Sequence, residues 1–456
     1  MTATEKRSVL ALALVYGSRM LGLFMVLPVF VLLAGDLQGA TPLLIGLALG
    51  GYGLSQALLQ IPFGLLSDRF GRKPLIYLGL GLFLAGSVIA ALSDHILGVV
   101  AGRLLQGAGA VASVLMALVS DLTQERNRTK AMASIGLSIG VAFALSLVLG
   151  PILGDRYGLS GIFAITAVLA VVGVGLVAFA VPTPRSSSFN PDALPAREQI
   201  REVLRMPRLL RLDIGIFVLH LILTAVFLVL PVALQDEFGL APSSHWWVYL
   251  SVMGSSFIAM LPLVIIGEKK RRIKAVMVTA VATLTLASAL LGWAENSFWQ
   301  FWWVLFFFFM AFNLLEALLP SLVSKEAPAA SKGSAMGVYS TSQFAGAFVG
   351  GALGGWAAGS AGLTGVIVLM SSAAALWLIV VATMAPPHYS TSLALRLQPA
   401  PDADARYIRD TLMAVPGVDE AVVLTSGKEA WLKVDRRQLD EEALWSLSFV
   451  SRSVST

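Results

Sequence analysis

Apolar stretches of about 20 residues recur along this chain from Ser8 to Met384, and each has the length a helix needs to cross roughly 30 Å of hydrocarbon. No other feature restricts the fold so severely. Lipid offers backbone N–H and C=O groups no partner, so each stretch must be a helix that satisfies its own polar groups. Leu, Ala, Val and Gly dominate the runs, which lack the alternation of a membrane-barrel strand. With 57% hydrophobic and 13% charged residues, the chain carries more apolar surface than a water-soluble fold can hide. Its 42 glycines suit close helix packing in a solvent that supplies no hydrophobic drive between helices.

Twelve spans are predicted, at 8–33, 42–66, 75–93, 97–120, 129–154, 160–182, 212–235, 246–267, 274–293, 299–323, 332–358 and 363–385, and they are numbered helices 1 to 12 below. The first run is too long for a signal-peptide core and lacks a small-residue cleavage site, so it is read as a retained helix. Orientation follows from the basic residues. With the N-terminus inside, the inner segments hold 21 Lys and Arg, among them Lys6, Arg69, Arg126, Arg205, Lys269 and Lys325, and the outer loops hold only Arg156. Both termini are therefore expected in the cytoplasm of a cell with a bacterial-type inner membrane. The net charge of +5 is this asymmetry and gives no reason to invoke nucleic acid.

The halves repeat. A shift of 204 residues lays Ala131-Met132 on Ala335-Met336 and Gly150 on Gly354. The expected architecture is an all-α membrane protein of two six-helix pseudo-repeats, residues 1–183 and 212–387, with a substrate cavity between them near mid-membrane. A polar break at 184–211 includes Ala196 to Met206, which reads as a short basic amphipathic helix at the inner membrane surface. Composition then changes after Pro386-Pro387. Residues 391–456 read as strand, helix, strand, strand, helix, with strands at 393–398, 418–425 and 430–434 and helices at 403–415 and 438–448. That order is close to a ferredoxin-like unit. Its ten acidic residues against eight basic ones suggest that it rests on the basic inner loops.

Three ionisable groups, Arg19, Arg103 and Glu316, fall inside apolar helices. A charge at the bilayer centre costs about 2.5–3.5 kcal/mol on insertion scales, so each is a candidate functional residue, and Glu316 is the candidate proton site. Gln106, one turn beyond Arg103, shares its face. Cavity lining is expected from helices 1, 4, 7 and 10 through Met20, Met25, Phe217, His220, Phe309 and Asn313, an aromatic and thioether set suited to apolar or cationic organic compounds.

The loop after helix 2 reads Gly64-Leu-Leu-Ser-Asp68-Arg69-Phe-Gly71-Arg72-Lys73-Pro74. Its glycines permit a sharp reversal and its cations face the anionic inner leaflet. This spacing resembles motif A of the major facilitator superfamily. Arg103-Leu-Leu-Gln106-Gly107-Ala-Gly109 resembles the same family's motif B. Gly150-Pro151-Ile-Leu-Gly154 is similar to motif C of its drug/proton antiporters, although Asp155 follows where that motif has a second glycine. With the C-terminal domain added, the pattern resembles the YajR-type members. The resemblance implies that Asp68, Arg69, Arg72 and Lys73, joined by Asp121, latch the two halves, with Asp68 accepting from the start of helix 11 near Ser331 and Asp121 pairing with Arg69 or Arg72. It also implies that the glycines of helices 5 and 11 pack across the interface between halves.

Several chemistries are not expected. There is no cysteine, hence no disulfide or thiolate metal site, and the four histidines have no ligand spacing. The C-terminal domain resembles heavy-metal-associated domains in shape, but without their cysteine pair no metal is expected on it. No Gly-x-x-x-x-Gly-Lys-Ser/Thr loop occurs, so the energy source is expected to be a proton gradient, without a cofactor. No nucleophile, base and orienting group come together in the sequence, which argues against an enzyme. The expectation is a monomeric secondary transporter exporting small organic or toxic compounds against protons. The alternatives are an uptake symporter or uniporter of a small metabolite, and a transporter-like sensor signalling through residues 391–456.

Overall fold

The computed structural model describes residues 1–183, 196–328, 331–386, 391–398, 404–423, 429–435 and 437–451. The start of the polar break through residue 195, Pro387 and the Ser426-Gly427 turn therefore lie outside the described residues.

Among the described residues, ten helices are long and apolar enough to span a membrane, and two of these are too long to cross it once. Glu125–Phe179 has 55 residues and Lys332–Ala382 has 51, each near 80 Å if straight at about 1.5 Å per residue. Both are bent back. Gly158, at φ +65°, interrupts the first, and Ala361 and Gly362, the latter at φ +60°, interrupt the second. Only glycine adopts such a left-handed φ without cost. Helix 1 shows that the first is a hairpin: its Glu5 binds the amide of Gln124 at one end while its Arg7 binds the carbonyl of Phe179 at the other. The twelve expected spans are thus present, with helices 5 and 6, and 11 and 12, joined through these bends.

Two single spans are not single helices. Helix 1 runs as Ala3–Phe24, breaks, and resumes at Phe30–Ala34. Pro28 stands in the break, where it lacks the N–H a continuing turn needs. Helix 4 is split into Ile96–Ala108 and Ala112–Asp121, the break falling at Gly109-Ala110-Val111. Non-helical backbone at such depth persists only where protein encloses it, and Val26, Ala110 and Val111 are fully buried. The remaining spans are helix 2 at Pro42–Phe70, helix 3 at Arg72–Ala91, helix 7 at Pro207–Asp236, helix 8 at His245–Lys269, helix 9 at Ile273–Leu290 and helix 10 at Phe298–Glu326.

The chain divides into two compact units. The first holds most of the spanning helices, and in it the two halves meet at glycines. Helices 2 and 11 cross with Gly46 against the Gly351 carbonyl and Gly50 against the Phe348 backbone. Tyr249 of helix 8 reaches the Pro28 carbonyl of helix 1 at 3.4 Å. On helix 5 the expectation is corrected in part. Gly150 lies against the Met25 carbonyl and Pro28 of helix 1, in its own half, and no atom outside its own helix would touch a side chain at Gly140. Helix 11 does cross to the other half, and its Gly346 and Gly350 also seat on the Phe217 and Leu221 carbonyls of helix 7.

The second unit gathers residues 189–212, 320–338 and 385–456. Its short helix, Ala196–Val203, uses Gln199 and Glu202 to accept from the Ser334 and Ser331 hydroxyls at the start of helix 11. The C-terminal segment forms strands β1 at Thr391–Arg396, β2 at Val418–Val423 and β3 at Glu429–Val434, in an antiparallel sheet of order β1-β3-β2. Helices at Ala405–Met413 and Glu441–Ser446 intervene and follow, and a bridge from Leu397 to Val450 adds a final strand turn beside β1. One face of this ferredoxin-like unit buries Leu395, Ile408, Leu412, Leu432 and Leu444.

One contact of this domain with helix 10 is made by a lysine that also pairs with Glu420 at 3.5 Å. Lys433 of β3, 8% exposed, donates to the Lys325 carbonyl at 2.9 Å, near the C-terminal end of helix 10, where a cation also meets the helix dipole. Lys433→Ala is expected to raise amide exchange in the last turn of helix 10 by an amount equal to about 1 kcal/mol, the worth of one such bond. Unchanged exchange in residues 320–328 would show that the lysine restrains nothing.

Candidate functional site

The break in helix 4 builds the first cluster. In the break the Gly109 carbonyl leaves the helical ladder: it accepts from the Val111 N–H at 2.8 Å and from Arg19 Nη2 at 2.8 Å. The same nitrogen donates to Gln56 Oε1 at 2.8 Å, and Gln56 in turn donates to Gln60 one helical turn along helix 2. The guanidinium lies 5.7 Å from the Tyr52 ring centre and 5.6 Å from that of Phe83, within cation–π range. Arg103 approaches the same Tyr52 ring at 5.4 Å. Its Nε and Nη2 donate to the Ala48 and Leu49 carbonyls of helix 2, its Nη1 to Gln106 Oε1 at 3.0 Å, and Gln106 continues to Ser87. Both arginines are fully enclosed, at 2% and 1% exposed. Arg103 thus faces the interior, and Gly107 lets helix 4 close on the Tyr52 backbone.

A second cluster occupies the other half. His220 of helix 7 lies 3.9 Å from Glu316 of helix 10, and the Gln343 amide of helix 11 contacts both, His220 Nε2 at 2.8 Å and Glu316 Oε1 at 3.3 Å. Asn313, one turn before Glu316, donates to Ser256 of helix 8. The structure thereby brings Glu316, the expected proton site, beside His220 and Asn313, two of the expected cavity-lining residues. Phe309 and Phe217 are nearby on helices 10 and 7, where Phe309 packs edge-on against Phe308 and the Phe217 carbonyl receives Gly346. Met20 joins Tyr52 and Phe83 in the first cluster's core, while Met25 is buried at the helix 1 break behind Gly150. Gly154 packs beside Leu33 and Val29.

The third cluster is the motif A loop. Gly71, at φ +92°, turns the chain between helices 2 and 3. Arg72 then folds back to pair with Asp68, donates to Ser67 Oγ at 2.6 Å, and reaches Asp121 Oδ2 at 3.0 Å. Of the two expected partners for Asp121, the structure selects Arg72. Arg69 instead lies over the exposed Phe70 ring. Asp68 is half exposed beside Arg72, and Gly64 faces Ser113 of helix 4.

Sequence reading passed over Tyr52, Gln56, Gln60, Ser87 and Gln343, all polar residues inside apolar spans, and Gln56 and Gln60 at four-residue spacing were a visible signal. It also passed over Asp213, at 6% exposed with Oδ2 unpartnered near the start of helix 7. A small crevice among Val226, Leu230, Leu291 and Phe301 is apolar and holds none of these groups.

Known proteins resemble this chain over nearly its whole length. The model of the Major Facilitator Superfamily matches residues 12–351 and again 212–451. The inner membrane transport protein YajR of Escherichia coli is 47% identical over 437 residues, 96% of each chain. The multidrug resistance protein MdtH of Yersinia pestis is 27% identical over 74% of this chain and 83% of its own. Among solved structures, the nucleoside transporter NupG superposes with a TM-score of 0.67 at 13% identity, over 82% of this chain and 98% of that one. That likeness concerns the fold.

Proposed function

This chain belongs to the Major Facilitator Superfamily as a multi-pass membrane transporter, and from that premise we propose that it exports small organic compounds in exchange for protons, by alternating access at the inner membrane of a bacterial-type cell. The observation that carries the reading is the contact of Glu316, a part-exposed carboxyl on a spanning helix of the second half, with His220 and Gln343. A carboxyl on a spanning helix is a group that can carry a proton from one face to the other, a change of charge tied to the state of the cavity. Gln343 on helix 11 and His220 on helix 7 couple that change to two helices that move against the other half.

Orientation supports the direction of opening. With both termini inside, as the basic residues direct, the glycine crossing of helices 2 and 11 lies towards the outer face, so this arrangement is closed outward. A proton moving down about 150 mV supplies roughly 3.5 kcal/mol, enough for a solute ratio of a few hundredfold. The motif A cluster around Arg72 is closed within the first half in this arrangement, and on this reading it would latch the inner side in the opposite state.

The test uses reconstituted protein in vesicles with an imposed pH gradient. Glu316→Gln is expected to abolish gradient-driven solute movement, a loss of at least about a hundredfold, while gradient-free exchange of solute persists. Gradient-driven flux unchanged in Glu316→Gln would overturn proton coupling through this residue, and accumulation with the gradient would favour uptake.

A further inference from the structure

Arg19 and Arg103 are both buried cations, yet only Arg103 has a bond at every nitrogen. Arg103 commits all three of its nitrogens to helix 2 carbonyls and Gln106. Arg19 commits Nη2 alone, to Gln56 and Gly109, and its Nε and Nη1, both enclosed, have no hydrogen-bond partner among the described residues. A guanidinium has five N–H donors and does not give up its charge, so three donors remain unanswered among the described residues, and the charge is met by the Tyr52 and Phe83 rings without an acid. The Tyr52 hydroxyl is enclosed and unpartnered as well.

No acid of the same half answers them. Residues 1–183 contain Glu5, Asp36, Asp68, Asp94, Asp121, Glu125 and Asp155, and every one of these stands at a helix end or in a connection. Glu5, on the same helix as Arg19, is about 21 Å away along its axis. Buried charges left without a counter-charge are costly and are kept where they serve a ligand or pathway. The place is also where the halves meet, since Tyr52 packs edge-on against Phe344 of helix 11 at 6.1 Å.

We propose that Arg19 is the binding group for an organic anion: the cargo carries a carboxylate or an equivalent anionic group that accepts from Arg19 Nε and Nη1, with its apolar body on the Tyr52 and Phe83 rings. This deepens the transport reading, on which it rests for the statement that the ligand is cargo. It also replaces the cationic compounds that the aromatic and methionine content alone suggests. Tyr52 can donate its hydroxyl to the same ligand, and Arg103 holds helix 2 in register behind it. An inside-negative membrane potential drives an anion outward, in keeping with export.

The experiment measures binding to the purified full-length protein with no gradient, so it is independent of coupling. The probes are 2-naphthoate, its neutral isostere 2-naphthamide, and chloride, read by thermal shift and calorimetric titration. Naphthoate is expected to bind wild type at least about tenfold tighter than the amide, because hydrogen bonds to a charged group outweigh neutral ones. Arg19→Gln is expected to erase that preference, and Arg19→Lys, which keeps the charge, to retain part of it. Equal binding of amide and carboxylate, no binding of naphthoate, or equal stabilisation by chloride overturns the proposal. So does a carboxylate preference that survives in Arg19→Gln. Should that variant not fold, the wild-type comparison and Arg19→Lys still decide. If the preference holds while the Glu316 test fails, the anion site stands and proton coupling falls.

Discussion

Gly46→Leu is expected to hold helices 2 and 11 apart and to shift the protein out of the closed arrangement described above. A side chain at Gly46 would overlap the Gly351 carbonyl oxygen and meet the Gly355 backbone, and backbone atoms of a crossing helix cannot rotate aside as a side chain can. Overpacking costs about 1–3 kcal/mol where side chains can yield; here the obstacle is backbone, so the upper end applies. That is about a hundredfold change in the ratio of two conformers. The chain has no cysteine, so spin labels on Ala40→Cys and Ser360→Cys report the separation of the two helices' adjoining ends without further engineering. Lengthened label distances in Gly46→Leu are the expected result. Gly81→Leu is the control, since a side chain there would meet nothing within 4 Å. Equal label distances in wild type and Gly46→Leu would sink the claim that this crossing is the closure.

Arg72→Ala is expected to be the most destabilising single change in the motif A loop. Asp121 has a side chain only 5% exposed and its ion pair is with Arg72, so removing the arginine leaves a buried carboxylate without its counter-charge. Breaking such a pair typically costs about 3–5 kcal/mol, much of it desolvation left uncompensated. The half-exposed Asp68 contributes less, because water takes the place of the lost partner. Arg69→Ala is expected to cost well under about 1 kcal/mol, since Arg69 lies over an exposed ring. Asp121→Ala combined with Arg72→Ala should recover much of the loss, and a double-mutant cycle in equilibrium unfolding measures the coupling. Similar losses from Arg72→Ala and Arg69→Ala would mean that the cluster is only a layer of positive charge on the membrane.

These two predictions differ in how far sequence could have reached them. The acid and base types of the motif A loop are legible in order, and their spacing after helix 2 is enough to expect a cluster. Which arginine binds Asp121 is not legible, because Arg69 and Arg72 are separated by the Gly71 turn, whose left-handed φ alone decides which of them points back. Likewise the small residues of helices 5 and 11 announce close packing but not the partner. Gly150 meets helix 1 while Gly351 meets helix 2, and nothing in a one-dimensional pattern separates the two.

The sequence by itself determined the solvent, the number of spans, the two-fold repeat and the presence of a small α+β domain at the C-terminus, because these depend on hydrophobic length and local periodicity. It also marked Arg19, Arg103 and Glu316, since a charge in an apolar run is visible wherever it lies. Only the tertiary structure decided their different positions: Arg103 bonded at each nitrogen, Arg19 at one nitrogen alone, and Glu316 joined to His220 and Gln343 from two other helices. The physical reason is that the cost of burying a charge is set by the carbonyls, amides and rings around it. Those are delivered by chain breaks such as the one at Gly109 and by helices far apart in sequence.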